Sequence, residues 1–289
     1  MLRKPTVAIV GPGRLGRALA LKLNRAHYQI AEIISRDNVQ SRRRAAQLTR
    51  EVGAVASTKK TARLDTDLVW FCVPDREIAS AARDLANQSP WAGKTAFHSS
   101  GALLSDELGT LRKCGAVIAS VHPLMTFVSG AAPLLKGVPF GVEGDPPAVK
   151  IARQVVRDLE GEPFTLSRRY KAAYHAWGAF TSPLLVSLLV SGEQVARIAG
   201  LSARDARKKM LPILRQTLSN YAALGPAGAF SGPLIRGDAE TVRKHMKVLT
   251  RVPEVREVYL ALARSALRHL PVRNRKELEK VLKAQSTKP

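Results

Sequence analysis

The sequence predicts an α/β protein in which a doubly wound, mostly parallel β-sheet is followed by a smaller all-helical domain. Two observations predict it. The first part of the chain alternates short apolar runs with helical patterns, and from about residue 168 only helical patterns follow. Strands that alternate with helices are typical of a parallel sheet covered on both faces. We therefore expect a sheet domain over residues 1–167 and a helical domain over residues 168–289.

The strands of the first domain are short, apolar and rich in β-branched residues. A basic helix is expected over 39–52 and another helix over 76–88. The expected strands cover residues 7–10, 29–34, 67–73, 94–97, 116–121, 138–142 and 161–166.

The helical domain begins with the most apolar stretch of the chain. Residues 170–198 predict one long helix with a kink at Pro183, because a proline removes a backbone hydrogen bond from the helix interior. Further helices are expected over 203–224, 239–252, 254–270 and 276–283. The apolar run 183–190 contains Ser187 and is too short to span a bilayer.

The composition describes a globular protein with two cores. The chain has 289 residues, of which 45% are hydrophobic, and only 2 cysteines. A first strand close to the N-terminus argues against a signal peptide, and no zinc-type spacing occurs, so a cytoplasmic protein without a metal or a membrane is expected. The formal net charge is +23. Its basic residues are spread along the chain without interleaved aromatics, which favours a solvated surface over nucleic-acid binding.

A glycine-rich turn stands between the first strand and the first helix. Residues 7–19 read VAIVGPGRLGRAL, in which Gly11, Gly13 and Gly16 form a G-x-G-x-x-G motif. After a strand and before a helix, such a turn lets the backbone approach a pyrophosphate, and the helix N-terminus attracts the phosphates. We interpret the turn as a dinucleotide-binding site rather than a plain strand–turn–helix connection.

The end of the second strand favours NADP over NAD. An NAD site usually has an acidic residue there to bind the ribose 2′-hydroxyl, whereas this strand ends in Ser35-Arg36. Glu32 lies inside the strand and Asp37 after it. Guanidinium groups and hydroxyls suit a 2′-phosphate. The arginines at 42–44 fit either this role or a solvated helix face.

Ligands of doubly wound sheets bind at the carboxyl ends of the strands. The turns after the first, third, fourth and fifth strands should therefore line one crevice. The residues expected to bind the cofactor there are Gly11, Gly13, Arg14, Leu15, Gly16, Ser35, Arg36, Val73, Pro74 and Ser99.

The glycine turn, followed by a helical second domain, resembles the 6-phosphogluconate-dehydrogenase-like superfamily. This superfamily includes β-hydroxyacid dehydrogenases, pyrroline-5-carboxylate reductase and prephenate dehydrogenase. The chain is most similar to a branch that pairs a Rossmann-like domain with a helical domain of unknown function. The motifs matching that branch are HSSGAL at 98–103, HPLMTF at 122–127, YHAWGAF at 174–180 and GPLIRGD at 232–238.

The resemblance implies a hydride-transferring oxidoreductase, but with departures. β-Hydroxyacid dehydrogenases have a lysine and an asparagine four residues apart on the first helix of the second domain. Here Lys171 is followed by His175, so that chemistry does not carry over intact. Pyrroline-5-carboxylate reductases have a Met-Pro-Asn turn where this chain has His122-Pro123, and prephenate dehydrogenases have a His-Pro turn nearby.

Hydride transfer also needs a group that gives or takes a proton, and histidine suits this near neutral pH. The candidate catalytic residues are His122 and His175, with Lys171 as electrostatic partner or proton donor. Ser100 and Arg236 are expected to bind the substrate. Each of these also has a purely structural interpretation, as a strand-end, core or surface residue.

We therefore expect an NADP-dependent oxidoreductase acting on a small, anionic carbonyl, imine or hydroxy-acid compound. The apolar helix 170–198 resembles dimerising helices of the superfamily and predicts a homodimer. A non-catalytic NADP(H) sensor or assembly protein is the alternative. A deazaflavin or another redox carrier stays open as the hydride partner.

Overall fold

The computed structural model describes residues 3–128 and 135–283, and its contacts divide the chain into two compact units between Phe180 and Thr181. The first unit contains the β-sheet, and the second is helical. The sequence analysis places the boundary after residue 167, whereas the structure groups the helix that follows that boundary with the sheet.

The first unit is built on one eight-stranded sheet. All neighbouring strands are parallel except β6 and β7, which are antiparallel, so the predicted doubly wound, mostly parallel fold is confirmed. The spatial order is β3-β2-β1-β4-β5-β6-β7-β8. The strands are β1 (Val7–Val10), β2 (Ile30–Ser35), β3 (Val55–Thr58), β4 (Leu68–Phe71), β5 (Thr95–His98), β6 (Val117–Pro123), β7 (Pro139–Gly144) and β8 (Glu162–Thr165).

Helices cover both faces of this sheet. The first face carries a core that includes Val7 and Ile9, and the opposite face carries one that includes Ala8 and Val10. This alternation is the period of two expected for a strand buried on both sides. The helices are α1 (Arg14–Arg25), α2 (Val39–Val52), α3 (Asp75–Ala86), α4 (Gly109–Lys113), α5 (Pro146–Asp158) and α6 (Lys171–Thr181).

The second unit has a small core of its own, formed by residues such as Val242, Met246 and Leu278. Its helices are α7 (Pro183–Ile198), α8 (Ala203–Ala229), α9 (Pro233–Arg236), α10 (Ala239–Leu249), α11 (Pro253–His269) and α12 (Arg275–Lys283). The predicted helix 203–224 ends as expected, because Gly225 has a non-helical φ of 69°, and a second short helical segment completes α8 to Ala229.

The predicted long helix 170–198 is two helices. Ser182 has φ −131° and ψ −81°, outside the helical region, and Pro183 then starts α7. The proline thus begins a new helix, and the predicted kink inside one continuous helix is wrong.

Within the stretch Arg168–Ile198, an 18-residue window has a mean hydropathy of 1.2, and only 6% of that window is buried inside the protein. By length and composition it is the only candidate membrane span among residues 3–128 and 135–283. One such stretch is weak evidence of a membrane, since apolar faces that pair between subunits are similarly exposed.

Candidate functional site

The glycine turn connects β1 to α1 as the motif predicts. Gly11 has φ +101°, and a Cβ on it would lie 2.8 Å from the backbone oxygen of Cys72. A Cβ on Gly16 would lie 2.0 Å from the backbone oxygen of Gly11, so Gly16 permits close packing of helix and turn. Gly13 differs from both, because a Cβ there would meet no atom within 4 Å. The packing of the described chain therefore does not require a glycine at 13.

A cleft of about 1030 Å³ opens at this turn, along the carboxyl ends of β1, β2 and β4. The N-terminus of α1 borders it, with no acidic residue in the first helical turn and no side-chain cap on its amides. The predicted cofactor-binding residues that line it are Gly11, Gly13, Arg14, Leu15, Ser35, Arg36, Val73, Pro74 and Ser99. Gly16 does not line the cleft and contributes through packing.

Basic side chains border the cleft beyond the end of β2. Arg36, Arg44 and Lys59 all line it, and sequence reasoning missed Lys59, which follows the short edge strand β3. The Arg36 guanidinium lies 3.5 Å from Glu77, and the Lys59 ammonium lies 2.8 Å from Asp84. This part of the cleft therefore holds three cations, two of them tethered by carboxylates at its rim.

The other polar groups near β2 are used by the protein itself. The Ser35 side chain is buried and its hydroxyl faces the carbonyl oxygens of Arg36 and Ser57, at 3.2 Å and 3.4 Å. Within the protein this hydroxyl donates to a carbonyl oxygen, and its role as a donor to a phosphate stays a prediction. Glu32 accepts hydrogen bonds from the backbone N–H groups of Arg63 and Leu64, so it is not a ribose ligand.

The turn after β5 places one serine in the cleft and uses the next one structurally. Ser99 lines the cleft and its Oγ accepts a hydrogen bond from Trp70 Nε1 at 2.8 Å. Ser100 is buried, donates to Asp75 at 2.7 Å, and accepts from the N–H groups of Ala102 and Leu103. Its hydroxyl is fully engaged, so the prediction that Ser100 binds substrate is not supported.

His98 is held in the same turn. Its Nδ1 accepts from the Ser100 N–H at 3.1 Å, so its Nε2 carries the proton that it shares with the Leu104 carbonyl at 2.9 Å. Burial lowers the pKa of His98 to about 4. This histidine is a neutral structural residue of the turn.

Three of the four sequence motifs meet beside this turn. Gly101, from HSSGAL, lies against the ring of His122, from HPLMTF, and against His175, from YHAWGAF. A Cβ at position 101 would come within 2.8 Å of His122 Nε2 and 2.9 Å of His175 Cδ2. The two imidazole rings are edge-to-face, with centroids 6.5 Å apart. The absence of a side chain at Gly101 thus makes room for the two predicted catalytic histidines.

Tyr174 completes this group, and the sequence analysis did not identify it as a site residue. Its hydroxyl lies 2.8 Å from His122 Nδ1, and the two rings are edge-to-face with centroids 5.5 Å apart. Burial raises the pKa of Tyr174 to about 12, and a hydrogen bond from the Gly141 backbone partly offsets this. Burial lowers the pKa of His122 to about 4, with the imidazole of His175 and the ammonium of Lys171 adding to the effect. His122 is therefore neutral at pH 7.

Lys171 is buried, with 2% of its surface exposed, and does not share the exposed environment of His175. Its Nζ contacts the Ser120 hydroxyl and lies 3.1 Å from Glu143 Oε1. Burial lowers its pKa, and the Glu143 carboxylate acts in the opposite direction. These contacts tie α6 to β6 and β7, and they do not support the prediction that Lys171 donates a proton to substrate.

Glu143 is a structural hub that sequence reasoning did not find. Its two oxygens accept from the backbone N–H of Ser105 at 2.6 Å and from the Ser105 hydroxyl at 2.9 Å. The Arg168 guanidinium lies 3.5 Å away. Glu143 is thus buried together with Lys171 and pairs with its ammonium, whereas the exposed Arg168 pairs with both Glu143 and Asp106.

Arg236, the other predicted substrate residue, belongs to the second unit. It is exposed at the end of α9, and its role stays a prediction. Among the residues that the structure describes, no group of three or more His, Cys, Asp or Glu could hold a metal ion.

Two family models match the chain. A Rossmann-like domain matches residues 2–123, and a domain of unknown function, DUF2520, matches residues 138–266. The chain is a Rossmann-like protein with a DUF2520 domain. This is the pairing that the four motifs predict. The DUF2520 match begins at β7, so Glu143 and the helix with Tyr174 and His175 lie within it. No curated protein matches the sequence.

Several solved structures share the fold. A candidate NADP oxidoreductase from Bacteroides fragilis has a TM-score of 0.74 at 19% identity, covering 91% of this chain and 97% of that one. A protein from Thermotoga maritima has a TM-score of 0.71 at 23% identity, with coverages of 97% and 100%. A reductive aminase from Aspergillus terreus, solved with NADPH and ethyl-5-oxohexanoate, has a TM-score of 0.65 at 18% identity, with coverages of 92% and 94%.

Proposed function

We propose that this Rossmann-like DUF2520 protein is an NADP-dependent oxidoreductase. The observation that carries the proposal is the cleft at the glycine turn, which has room for a dinucleotide and three basic side chains beyond β2. The open space at Gly13 suits a pyrophosphate, whose oxygens would accept hydrogen bonds from the free N–H groups at the start of α1. Arg36, Arg44 and Lys59 would hold the 2′-phosphate that distinguishes NADP from NAD.

The group formed by His122, Tyr174 and His175 is connected to this cleft through the turn after β5. Asp75 lines the cleft and holds Ser100, and the following residue, Gly101, contacts His122. Residues from the carboxyl ends of β4, β5 and β6 are thus linked, as expected for a doubly wound sheet. This arrangement supports a substrate position between the cleft and His122.

The reaction class we propose is hydride transfer to or from a small carbonyl, imine or hydroxy-acid compound. The chemistry that NADPH would supply when bound is the hydride for the new C–H bond of the product. The electron pair of the C=O or C=N bond moves to oxygen or nitrogen, which takes a proton from His122, and solvent replaces that proton. The reductive aminase bound to NADPH and a keto ester is a neighbour that fits this class. Lys171 and Arg168 are paired with Glu143, so neither is proposed to bind an anionic substrate group.

A substitution at Gly13 tests the cofactor site directly. Gly13→Val adds atoms where the protein leaves open space, at φ −77°, which any residue adopts. We expect NADPH affinity to fall at least about tenfold, with an unchanged urea midpoint. The control is Gly192→Val, on the exposed face of α7, which should leave NADPH affinity unchanged. Equal NADPH affinity of Gly13→Val and wild type would remove the turn from the cofactor site.

A homodimer formed through the helical region is the assembly we propose. On α7 no residue is buried, and the exposed apolar side chains there and just before it include Phe180 at 71% and Val186 at 58% exposure. Exposed apolar side chains grouped along one helix are typical of a subunit interface. We also retain the cytoplasm as the expected location, since both cysteines are free thiols.

A non-catalytic NADP(H) sensor is the second candidate. It is favoured by one observation, the burial of Lys171 against Glu143, which removes the lysine that β-hydroxyacid dehydrogenases would use. NADPH oxidation at 340 nm with ethyl-5-oxohexanoate, or with cyclohexanone plus allylamine, separates the two. Turnover that His122→Gln abolishes supports the enzyme, whereas tight NADPH binding without turnover on a wider carbonyl and imine panel supports the sensor.

A further inference from the structure

We propose that Tyr174 is a positioning residue that holds His122 in its neutral Nε2–H tautomer, so that His122 meets the substrate as a hydrogen-bond donor. The inference rests on the proposed function for its catalytic meaning. Its structural part, the tautomer, can be tested without a substrate.

The hydrogen-bond capacity of the Tyr174 hydroxyl decides the direction of its bond to His122. A phenol has one proton to donate and lone pairs that accept. The Gly141 backbone lowers the pKa of Tyr174, as an N–H that donates to the phenol oxygen does. Within the described residues, His122 Nδ1, at 2.8 Å, is the only acceptor for the phenol proton. If Nδ1 carried a proton instead, the buried phenol O–H would have no acceptor there, at a cost in free energy. Tyr174 therefore donates, and Nδ1 accepts.

The second nitrogen of His122 then carries the proton. Nε2 faces Gly101, and within the described part of the chain it has no hydrogen-bond partner and is not among the fully buried unpaired atoms. A side chain at position 101 would cover it at 2.8 Å. The glycine thus keeps an N–H donor accessible at the edge of the site.

The charges around His122 favour its neutral form. Two imidazoles and an ammonium repel a proton on the ring, and burial acts in the same direction, whereas one carboxylate attracts it. The titratable groups that face it are His175 and Lys171 on α6, His98 on β5 and Asp75 on α3, and Glu143 on β7 pairs with Lys171. Burial is the largest of these effects and leaves His122 uncharged at neutral pH, although Glu143 offsets part of the repulsion from Lys171.

A neutral Nε2–H polarises a carbonyl or imine by hydrogen bonding to the atom on which negative charge develops. When that atom takes the Nε2 proton, the Tyr174 proton passes to Nδ1. Solvent then protonates Nε2 while Nδ1 returns its proton to the phenolate oxygen, which restores both groups. The bonds that break are Nε2–H and the phenol O–H, and the bonds that form are the product O–H or N–H and Nδ1–H. His122 stays neutral throughout.

Nitrogen NMR of histidine-labelled protein tests the assignment. We expect a pyridine-like Nδ1 and a pyrrole-like Nε2 signal for His122, identified by its loss in His122→Gln. Tyr174→Phe removes the donor to Nδ1 and should raise the pKa of His122 by about half a unit to one unit, since the neutral form loses a hydrogen bond. If Tyr174 accepted from Nδ1–H, the same variant would lower that pKa.

The second unit provides a matched control. His245 Nδ1 lies 3.1 Å from the Tyr259 hydroxyl, with ring centroids 5.9 Å apart and a similar edge-to-face angle. Tyr259→Phe should alter the His245 signals and leave those of His122 unchanged. His98 is an internal standard, because its Nε2–H tautomer is fixed by two backbone groups.

These measurements test the tautomer of His122 separately from the proposed function. A pyrrole-like Nδ1 of His122 in wild type, or a Tyr174→Phe variant that leaves the tautomer and pKa unchanged or lowers the pKa, overturns the inference. The wild-type spectrum alone decides the tautomer if Tyr174→Phe fails to fold. Repeating the spectra with NADP⁺ shows separately whether the cofactor binds, so the proposed function can fail while the tautomer stands.

Discussion

A single residue, Gly101, makes room for the side chains of the candidate site. It is the point where three sequence motifs converge, and it has no side chain because His122 and His175 occupy the space. The motifs could be read from the sequence, but their convergence could not, since 52 residues separate His122 from Tyr174. Tyr174 stands first in the motif YHAWGAF, so the signal that could have identified it was present.

Gly101→Ala should destabilise the protein. Its Cβ would collide with both imidazole rings, and such overpacking costs about 1–3 kcal/mol in the free energy of unfolding. Urea titration measures the loss. The matched control is Gly109→Ala, where a Cβ meets no atom within 4 Å, and it should not destabilise. Equal stabilities of wild type and Gly101→Ala would contradict the packing described around His122.

Acid should weaken the fold through His98. In the unfolded chain this imidazole binds a proton below its usual pKa of 6.5, whereas in the fold it does so only below about 4. Between these values the unfolded state binds more protons, so stability falls as the pH is lowered from 6.5 to 4, by about 1.4 kcal/mol per unit. Urea unfolding at pH 7 and pH 5 measures the slope. It should be smaller in His98→Asn, and an identical slope would exclude His98 as its source.

At the scale of elements, polar ties fix α6 on the sheet. Lys171 and Tyr174 lie three residues apart on this helix and contact β6 and β7 through Ser120, Glu143 and His122. The sequence predicted β1 and α2 with their exact limits, and it placed the ends of most other strands within two or three residues of the observed ends. It missed β3, whose VAST sequence is short and half exposed at the sheet edge, because little apolar patterning marks such a strand.

Removing one partner of the buried Lys171–Glu143 pair should destabilise more than removing both. Lys171→Met leaves the Glu143 carboxylate buried with Ser105 and Arg168, and losing one partner of a buried pair costs about 3–5 kcal/mol. Lys171→Met/Glu143→Gln should recover part of that loss. Urea titrations of the four proteins in a double-mutant cycle measure the coupling. Additive effects of the two substitutions would show that the pair is not coupled.

At the scale of the molecule, the chain combines a sheet unit that buries its apolar surface with a helical unit that leaves much of it exposed. The fold class and the glycine turn could be predicted because strand–helix alternation and G-x-G-x-x-G depend on local sequence. The break at Ser182 could not, because a proline after a serine can kink a helix or start a new one.

The exposed face of α7 predicts a dimer. Light scattering should give twice the 31.4 kDa mass of one chain. Val186→Glu places a charge on the apolar face and should shift the mass toward the monomer, whereas Gln194→Glu, a charge at a polar position of the same helix, should not. A monomeric wild type would leave the apolar face unexplained and refute the proposed assembly.

Calorimetric titration of the purified protein with NADPH and, separately, with NADH measures whether the cleft binds NADP. We expect NADPH to bind at least about tenfold more tightly, because Arg36, Arg44 and Lys59 would form charge-assisted hydrogen bonds to its 2′-phosphate. Equal affinity for the two would contradict the NADP assignment, and no binding of either would contradict the proposed oxidoreductase itself.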